Sequence, residues 1–315
     1  MNSSYQIITN PQQQGTITRA ADVQTLTDQF ISFVDATPQS LQTYKASIKK
    51  LTGYLAENNI TAPTRADLLQ YRDYLKANYK PTTVALHITA ARLFFRWTAQ
   101  NGLYPNIADH IKGAKLDRNH KKDYLTSKQA KAVMRTATGA TITQRRDYAI
   151  LSVMLVGGLR CIEVVRANIE DISTAGDSAA LYIQGKGREE KTEYIKLPAP
   201  VENAIRDYLN ARGETDGRAP LFASESNNSN GGRLTRQSVS RLVKQHLRAA
   251  GFNSDRLTAH SLRHTCATLN LLNGATTEET QQLLRHSNIN TTMIYNHSLE
   301  RAKNNSENRI AAAIF

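Results

Sequence analysis

A set of polar side chains in the C-terminal part of this chain sits where ordinary surface does not explain it. Arg160 follows an apolar run and a Gly157-Gly158 break, and Glu163 lies three residues on, on the same helical face. Lys186 sits between two glycines at the tip of an expected hairpin. His260 and Arg263 stand three apart in Ala259-His-Ser-Leu-Arg-His-Thr265, so both project from one face of a helix. His286 follows Leu283-Leu284-Arg285, and Tyr295 comes nine residues later in Asn290-Thr-Thr-Met-Ile-Tyr-Asn-His297. As residue types they offer a nucleophile, fixed positive charge and proton donors. Breaking a phosphodiester without a metal ion requires those three things.

Taken singly, each has a plainer reading. Arg160 and Glu163 make an ion pair, a lysine between glycines makes a solvated turn, and Tyr295 makes a core or interface residue. His260 and His264 stand four apart, the spacing of a helical zinc pair. Ser261 occupies the place where a zincin-type motif has glutamate, and no third ligand is evident, so no metal site is expected. A metal-dependent nuclease would need clustered carboxylates, which the sequence lacks. Cys161 and Cys266 show neither metal spacing nor a disulfide framework, and both read as buried small residues in a reduced protein.

The elements that position these residues can be read from composition and periodicity. A chain of 315 residues has room for two domains, each with its own core. Its 40 Lys and Arg against 27 Asp and Glu leave a formal charge of +13, a surface that attracts polyanions, of which nucleic acid is the commonest. A membrane partner is not expected, because the longest apolar run, Ala149 to Gly158, is far too short to span a bilayer. Met1 to Arg19 is polar and lacks the charged start and apolar centre of a signal peptide, so the expected location is the cytoplasm.

After a flexible tail over 1–21, residues 22–111 read as a four-helix domain. Phe30, Phe33 and Val34 form one apolar stripe; Leu41, Tyr44, Ile48, Leu51 and Leu55 form a longer one. Leu68, Tyr71 and Leu75 make a third, and Val84, Ile88, Ala91 and Phe95 a fourth. Pro38 and Pro81 stand where a helix start tolerates a missing N–H. Residues 112–123 form a basic linker whose Lys112, Lys115, Arg118, Lys121 and Lys122 are placed to cross a phosphate backbone.

The second domain is expected over 124–298. Thr126 and Gln129 form a capping-box pattern opening a helix through Thr136, and Asp147 to Val156 reads as a buried helix. Leu181–Gln184 and Glu193–Leu197 read as two short strands around Gly185-Lys186-Gly187-Arg188. Ser224 to Gly232 reads as a loop, and the pattern is helical from Thr235 onward. The fold class is therefore mainly α with a small antiparallel β-sheet (α+β). The tail over 299–315 reads as a polar helix, Leu299 to Arg309, with an apolar end, Ile310-Ala-Ala-Ala-Ile-Phe315, that needs burial somewhere.

Five blocks taken together carry a resemblance. They are Gly157-Gly-Leu-Arg-Cys-Ile-Glu163, Gln184-Gly-Lys-Gly-Arg-Glu189, His260-Ser-Leu-Arg-His-Thr265, Leu284-Arg-His-Ser287 and Thr291-Thr-Met-Ile-Tyr-Asn-His297. The second domain resembles the catalytic domain of the tyrosine recombinase, or phage-type integrase, family. The signature there is Arg, Lys, His-x-x-Arg, His or Trp, then Tyr, and every position is occupied in order. The N-terminal helices resemble the family's SAM-like core-binding domain, so the likeness runs over roughly residues 22 to 310, strongest after Tyr124. Two positions depart from the pattern: Arg285 replaces the glycine that usually precedes this histidine, and Cys161 stands where an aliphatic residue is commoner.

The resemblance implies the following scheme. Tyr295 attacks a phosphodiester to give a 3′-phosphotyrosine and a free 5′-hydroxyl, and a partner strand's hydroxyl reseals it. Arg160 and Arg263 clamp the scissile phosphate, Lys186 protonates the leaving 5′-oxygen, His260 assists proton transfer at the nucleophile, and His286 hydrogen-bonds the phosphate. Glu163 orients its neighbours, and His264 supports the site structurally. No cofactor, ATP or metal is implied. The implied partners are double-stranded DNA and further copies of the chain, a dimer on one site and a tetramer in the synapse, with the tail docking on a neighbour. The length before Asp22 leaves no room for an arm-binding domain. A mobile-element integrase is the main expectation and a Xer-type resolvase the alternative. A type IB topoisomerase and a catalytically silent DNA-binding protein complete the field.

Overall fold

Helices in this chain begin where a side chain can take up the free N–H groups of a first turn. A computed structural model describes residues 6–7, 21–115, 123–185, 190–226, 231–303 and 305–315. The chain divides into two compact units, residues 1–119 and 120–315, each with its own apolar core.

In the first unit a short antiparallel pair, β1 (Gln6–Ile7) with β2 (Ala21–Asp22), precedes four helices. These are α1 (Val23–Phe33), α2 (Pro38–Glu57), α3 (Arg65–Asn78) and α4 (Pro81–Gln100). Proline opens α2 and α4, the Thr37 hydroxyl accepts from the Ser40 N–H, and Thr64 with Asp67 closes a capping box on α3. The stripes converge on Phe30, Ile48, Leu51, Leu55, Leu68, Tyr71, Leu75, Val84, Ile88 and Phe95, all buried. Each such side chain contributes about 1.5–3 kcal/mol on leaving water. Phe33 is the exception: it stays 59% exposed. The inward face of α1 runs through Leu26 and Phe30, four apart, and Phe33 falls beside that line with its ring 6.5 Å from Trp97. Lys112 and Lys115 of the expected linker are exposed; Arg118, Lys121 and Lys122 lie outside the described residues.

The second unit opens with α5 (Ser127–Arg135), capped by Thr126 and Gln129 as expected. Then comes α6 (Ile142–Val156), which starts before Asp147 because Thr141 and Gln144 make a second capping box. After α7 (Cys161–Arg166) a three-stranded antiparallel sheet forms from β3 (Ile172–Ala175), β4 (Ser178–Ile183) and β5 (Glu193–Lys196), with β4 central. The register places Ile172, Leu181 and Ile195 on one face, toward the core, and Tyr182 opposite Tyr194 on the other. Five helices follow: α8 (Ala199–Arg212), α9 (Arg236–Ala249), α10 (Ala259–Leu272), α11 (Thr277–Leu284) and α12 (Asn290–Lys303). The tail differs from expectation. Its apolar end is itself helical, α13 (Ser306–Ile314), and exposes Ile310, Ile314 and Phe315.

Helix α6 is apolar nearly all round (Ala149, Ile150, Leu151, Val153, Met154) because it packs against both α8 and α10. Its second turn also carries a buried ionic cluster. Asp147 accepts from Arg146 at 2.8 and 3.0 Å, and His246 of α9 meets it at 3.1 Å. Among the described residues no helix is long and apolar enough to cross a membrane.

Candidate active site

The site is assembled where two turns meet α10. Gly158 makes that approach possible: its φ is +61°, and a Cβ there would lie 2.7 Å from Leu284 and 3.3 Å from the Cys266 sulfur. The 157–160 turn thus lies directly against α10 and the end of α11. Arg263, on the buried face of α10 and 1% exposed, donates to the Gly158 and Leu284 carbonyls. It bolts the two turns together from beneath.

Arg160 is the N-cap residue of α7, and Glu163 at the third helical position reaches back to it. The carboxylate accepts the Arg160 backbone N–H at 2.8 Å and its guanidinium at 2.7 Å. Glu163 is wholly buried, and Arg285 donates to the same oxygen as the Arg160 N–H, at 3.0 Å. Burial pushes the Glu163 carboxyl up, but Arg285, the Arg160 N–H, and the Arg160 and Arg263 charges outweigh it and hold it below the usual carboxylate range. Burial and then the neighbouring Arg160 press the Arg263 guanidinium down, yet a base that strong stays charged at neutral pH. Three guanidinium groups therefore surround one buried carboxylate.

Tyr295 sits on the second turn of α12, 6% exposed, with its ring packed near Cys266, Ala267 and Leu284. Burial lifts its phenol to about 12, against the pull of Arg263 and Arg160, so the hydroxyl holds its proton at neutral pH. Its oxygen lies 2.5 Å from His264 Nδ1. His260 packs edge-on against His264, ring centroids 4.4 Å apart, and is exposed. The ring nitrogen that meets the phenol thus belongs to His264 rather than His260. His286 Nδ1 meets the Thr292 hydroxyl at 2.8 Å. Burial first, then Arg263 and Arg160, lowers its imidazole to about 4, so it is neutral at pH 7.

These residues border one cavity of about 380 Å³, lined among others by Arg160, His260, Arg263, His264, His286 and Tyr295. Gly185 also lines it, while Lys186 lies outside the described residues. The floor is cationic and the nucleophile candidate opens onto it, an arrangement suited to a tetrahedral anion whose charge grows during attack. Among the described residues no group of three or more His, Cys, Asp or Glu could hold a metal ion. Cys266 is buried and donates to the Val156 carbonyl, and burial pushes its thiol up to about 11; Cys161 is half-buried and also pushed up by burial.

Sequence reasoning passed over two partners. Thr292, fully buried, orients His286 from six residues on, in the Thr291-Thr292 pair just before the tyrosine. Arg285 reaches Glu163 across 122 residues of chain, a pairing for which the sequence offers no local signal.

Comparison with known proteins agrees with this geometry. Residues 123–301 match the phage integrase family, and residues 29–102 match the phage integrase N-terminal SAM-like domain. Tyrosine recombinase XerC of Pelobacter propionicus is 32% identical over 272 residues, covering 84% of this chain and 86% of that protein. The crystal structure of XerH site-specific recombinase bound to its difH substrate superposes with a TM-score of 0.69 at 19% identity, covering 91% of this chain and 85% of that one. A lambda integrase tetramer bound to a Holliday junction gives 0.65 at 19% identity, covering 87% and 76%. At these identities the structural likeness concerns the fold. The family is fixed by the match over more than half of the chain and by the XerC relative: this chain belongs to the phage integrase family of tyrosine recombinases, enzymes that cleave and rejoin DNA.

Proposed function

We propose that Tyr295 is the nucleophile of a site-specific recombination reaction on double-stranded DNA, leaving a 3′-phosphotyrosine and a free 5′-hydroxyl. The observation that carries this reading is Tyr295 lining one cavity with Arg160 and Arg263, its hydroxyl 2.5 Å from His264. Arg160 and Arg263 clamp the phosphate, since planar guanidinium groups match its oxygens. The phenol needs a proton acceptor at pH 7; His264 takes its hydrogen bond, and His260, packed against His264 and exposed, assists the transfer. His286, neutral and held by Thr292 at one ring nitrogen, offers the other to a phosphate oxygen. Glu163 orients Arg160, and Lys186 protonates the leaving 5′-oxygen. The reaction runs without cofactor, in the cytoplasm.

Residues 22–111 and 124–298 would grip the duplex from two sides, joined by the 112–123 linker whose lysines and Arg118 meet phosphates. The lambda integrase neighbour was captured as a tetramer on a Holliday junction, and we carry that assembly over. The exposed Ile310, Ile314 and Phe315 of α13 are the apolar face that docks on a second copy. We read the enzyme as integrating and excising a mobile element, on the Arg285-His-Ser-Asn-Ile-Asn-Thr-Thr292 block and this tail. The XerC relative favours the second reading, a chromosome or plasmid dimer resolvase. Recombination of a circular donor into a single target site supports the first; resolution of directly repeated sites alone supports the second.

The test of the chemistry is a suicide DNA bearing the protein's own recombination site, incubated in EDTA and run on a denaturing gel. A covalent protein–DNA band that Tyr295→Phe abolishes is the expected outcome. A bound substrate without that band, or a band that survives the substitution, overturns the assignment.

A further inference from the structure

We propose that Arg285 is a positioning residue for the phosphate clamp, acting through Glu163 to keep the Arg160 guanidinium available to the cavity. The inference rests on the reading of Arg160 and Arg263 as that clamp.

Three observations converge on it. The first is the backbone. Arg285 ends α11 at φ +55°, in the left-handed region, and the other non-glycine residues there among the described ones are Asn59 and His110. Asparagine and histidine visit that region readily, whereas a long aliphatic stem such as that of arginine does not. A glycine would satisfy the same turn without strain, so the side chain is what the position keeps.

The second is where that side chain goes. It is only 4% exposed although two other guanidinium groups lie in the same site. One terminal nitrogen donates to the Leu283 carbonyl at 2.6 Å and the Gly157 carbonyl at 3.2 Å. The other donates to Glu163 at 3.0 Å and lies 3.5 Å from the Gly158 carbonyl. Arg285 thus ties the turn that carries Arg160 to the Glu163 carboxylate, and it is through these two that it acts on the clamp. Apart from the Leu283 carbonyl in its own helix, its acceptors are the turn that ends in Arg160 and the carboxylate that holds Arg160.

The third is how the Glu163 carboxylate is shared. Oε1 takes the Arg160 guanidinium, while Oε2 takes the Arg160 backbone N–H and Arg285. Arg160 keeps a side chain that is 27% exposed, against 4% for Arg285. Without Arg285, Arg160 would be left as the one hydrogen-bond partner of the buried carboxylate among the described residues. Its guanidinium would be held more tightly to Glu163, and the turn from Gly157 to Arg160 would lose its anchor to the residue before His286.

The experiment measures adduct formation on the suicide DNA at saturating protein, DNA affinity and thermal midpoint, for Arg285→Gly, Arg285→Lys, Glu163→Gln and the Glu163→Gln/Arg285→Gly double variant. Arg285→Gly should lower the midpoint, because a buried ion pair is broken, leave DNA affinity nearly unchanged and slow cleavage per folded molecule about tenfold or more, and Arg285→Lys should recover part of the rate. In the Glu163→Gln background the same Arg285→Gly change should cost less than about twofold, because the negative charge that Arg285 answers is already gone. Wild-type rates in Arg285→Gly overturn the proposal. So does an equal loss in both backgrounds, or a rate loss that merely follows a fallen midpoint. An absent adduct from wild-type protein overturns the recombinase reading and this proposal with it, whereas a normal wild-type adduct with an unaffected Arg285→Gly overturns this proposal alone.

Discussion

Two clusters of buried charge lie in the second unit, and they differ in whether their hydrogen bonds close on themselves. Around Asp147 a single guanidinium faces a single carboxylate: Arg146 gives it two N–H groups and turns its third nitrogen to the Ala223 carbonyl at 3.0 Å. His246 joins the carboxylate to the Thr136 hydroxyl, so α5, α6 and α9 are tied at one point. Around Glu163, the Arg160 and Arg285 guanidinium groups share one carboxylate, the Arg263 charge lies close by, and a cavity of about 380 Å³ opens beside them. Attraction within the first cluster offsets the cost of removing its charges from water, with no charge left over. The second keeps an excess of positive charge against its cavity, which an anion of the right shape completes.

The sharpest way to break this contrast is to remove one arginine from the open cluster. Arg263→Ala deletes a fixed cation beside the cavity where charge develops, and covalent adduct formation should fall about 100- to 1000-fold. Single-turnover cleavage under saturating DNA measures it. A loss under about threefold would mean that Arg263 serves only to bolt the Gly158 and Leu284 carbonyls together. The complementary change strikes the closed cluster. Asp147→Ala leaves a buried guanidinium unpaired and should destabilise the protein by about 3 kcal/mol, read from the denaturant midpoint, with the cleavage rate per folded molecule unchanged. A matching drop in that rate would show that the closed cluster communicates with the site.

The same contrast explains what the sequence allowed to be read. The Glu163 cluster was visible because its chemistry demands particular residue types in a fixed order, and Arg160, His260, Arg263, His286 and Tyr295 do line one cavity. Arg285 stood out as an added cation, but its bond to Glu163 joins positions with no periodic relation. The Asp147 cluster left no mark at all. A lone aspartate at a helix start and a histidine on an amphipathic helix each resemble solvated surface, and only the packing of α6 on α9 makes them partners. In the fold, Thr126 and Gln129 were legible as a cap, while the identical Thr141–Gln144 pattern was passed over and α6 was read short at its start. Strand β3 was missed because Ile172-Ser-Thr-Ala175 is too short and polar to show an alternating face without its neighbour β4. His264 is the instructive case within the site: four residues from His260 on one helix, it shares that face, and only the orientation of α12 decides which ring meets Tyr295.

The smallest expected effect tests the open cluster by titration. His286 is lowered to about 4, by burial first and by Arg263, Arg160, Arg285 and His260 after it, from an ordinary imidazole value of about 6.5. Its folded pKa lies below its unfolded one, so between these values the unfolded chain binds the proton more readily. The stability His286 contributes is present above about pH 6.5 and drains away as pH falls toward 4. His286→Gln removes that titration, so the denaturant midpoint of the variant should vary less between pH 6.5 and 4 than that of the wild type. His87 in the first unit, also lowered by burial and by Lys50, keeps its share of the slope in both proteins, which leaves the difference to His286. The wild-type cleavage rate should likewise show no imidazole step near pH 6.5 attributable to this ring. A step there that disappears in His286→Gln would mean that His286 is protonated in the working site, and that the positive excess around Glu163 is already matched by something other than DNA.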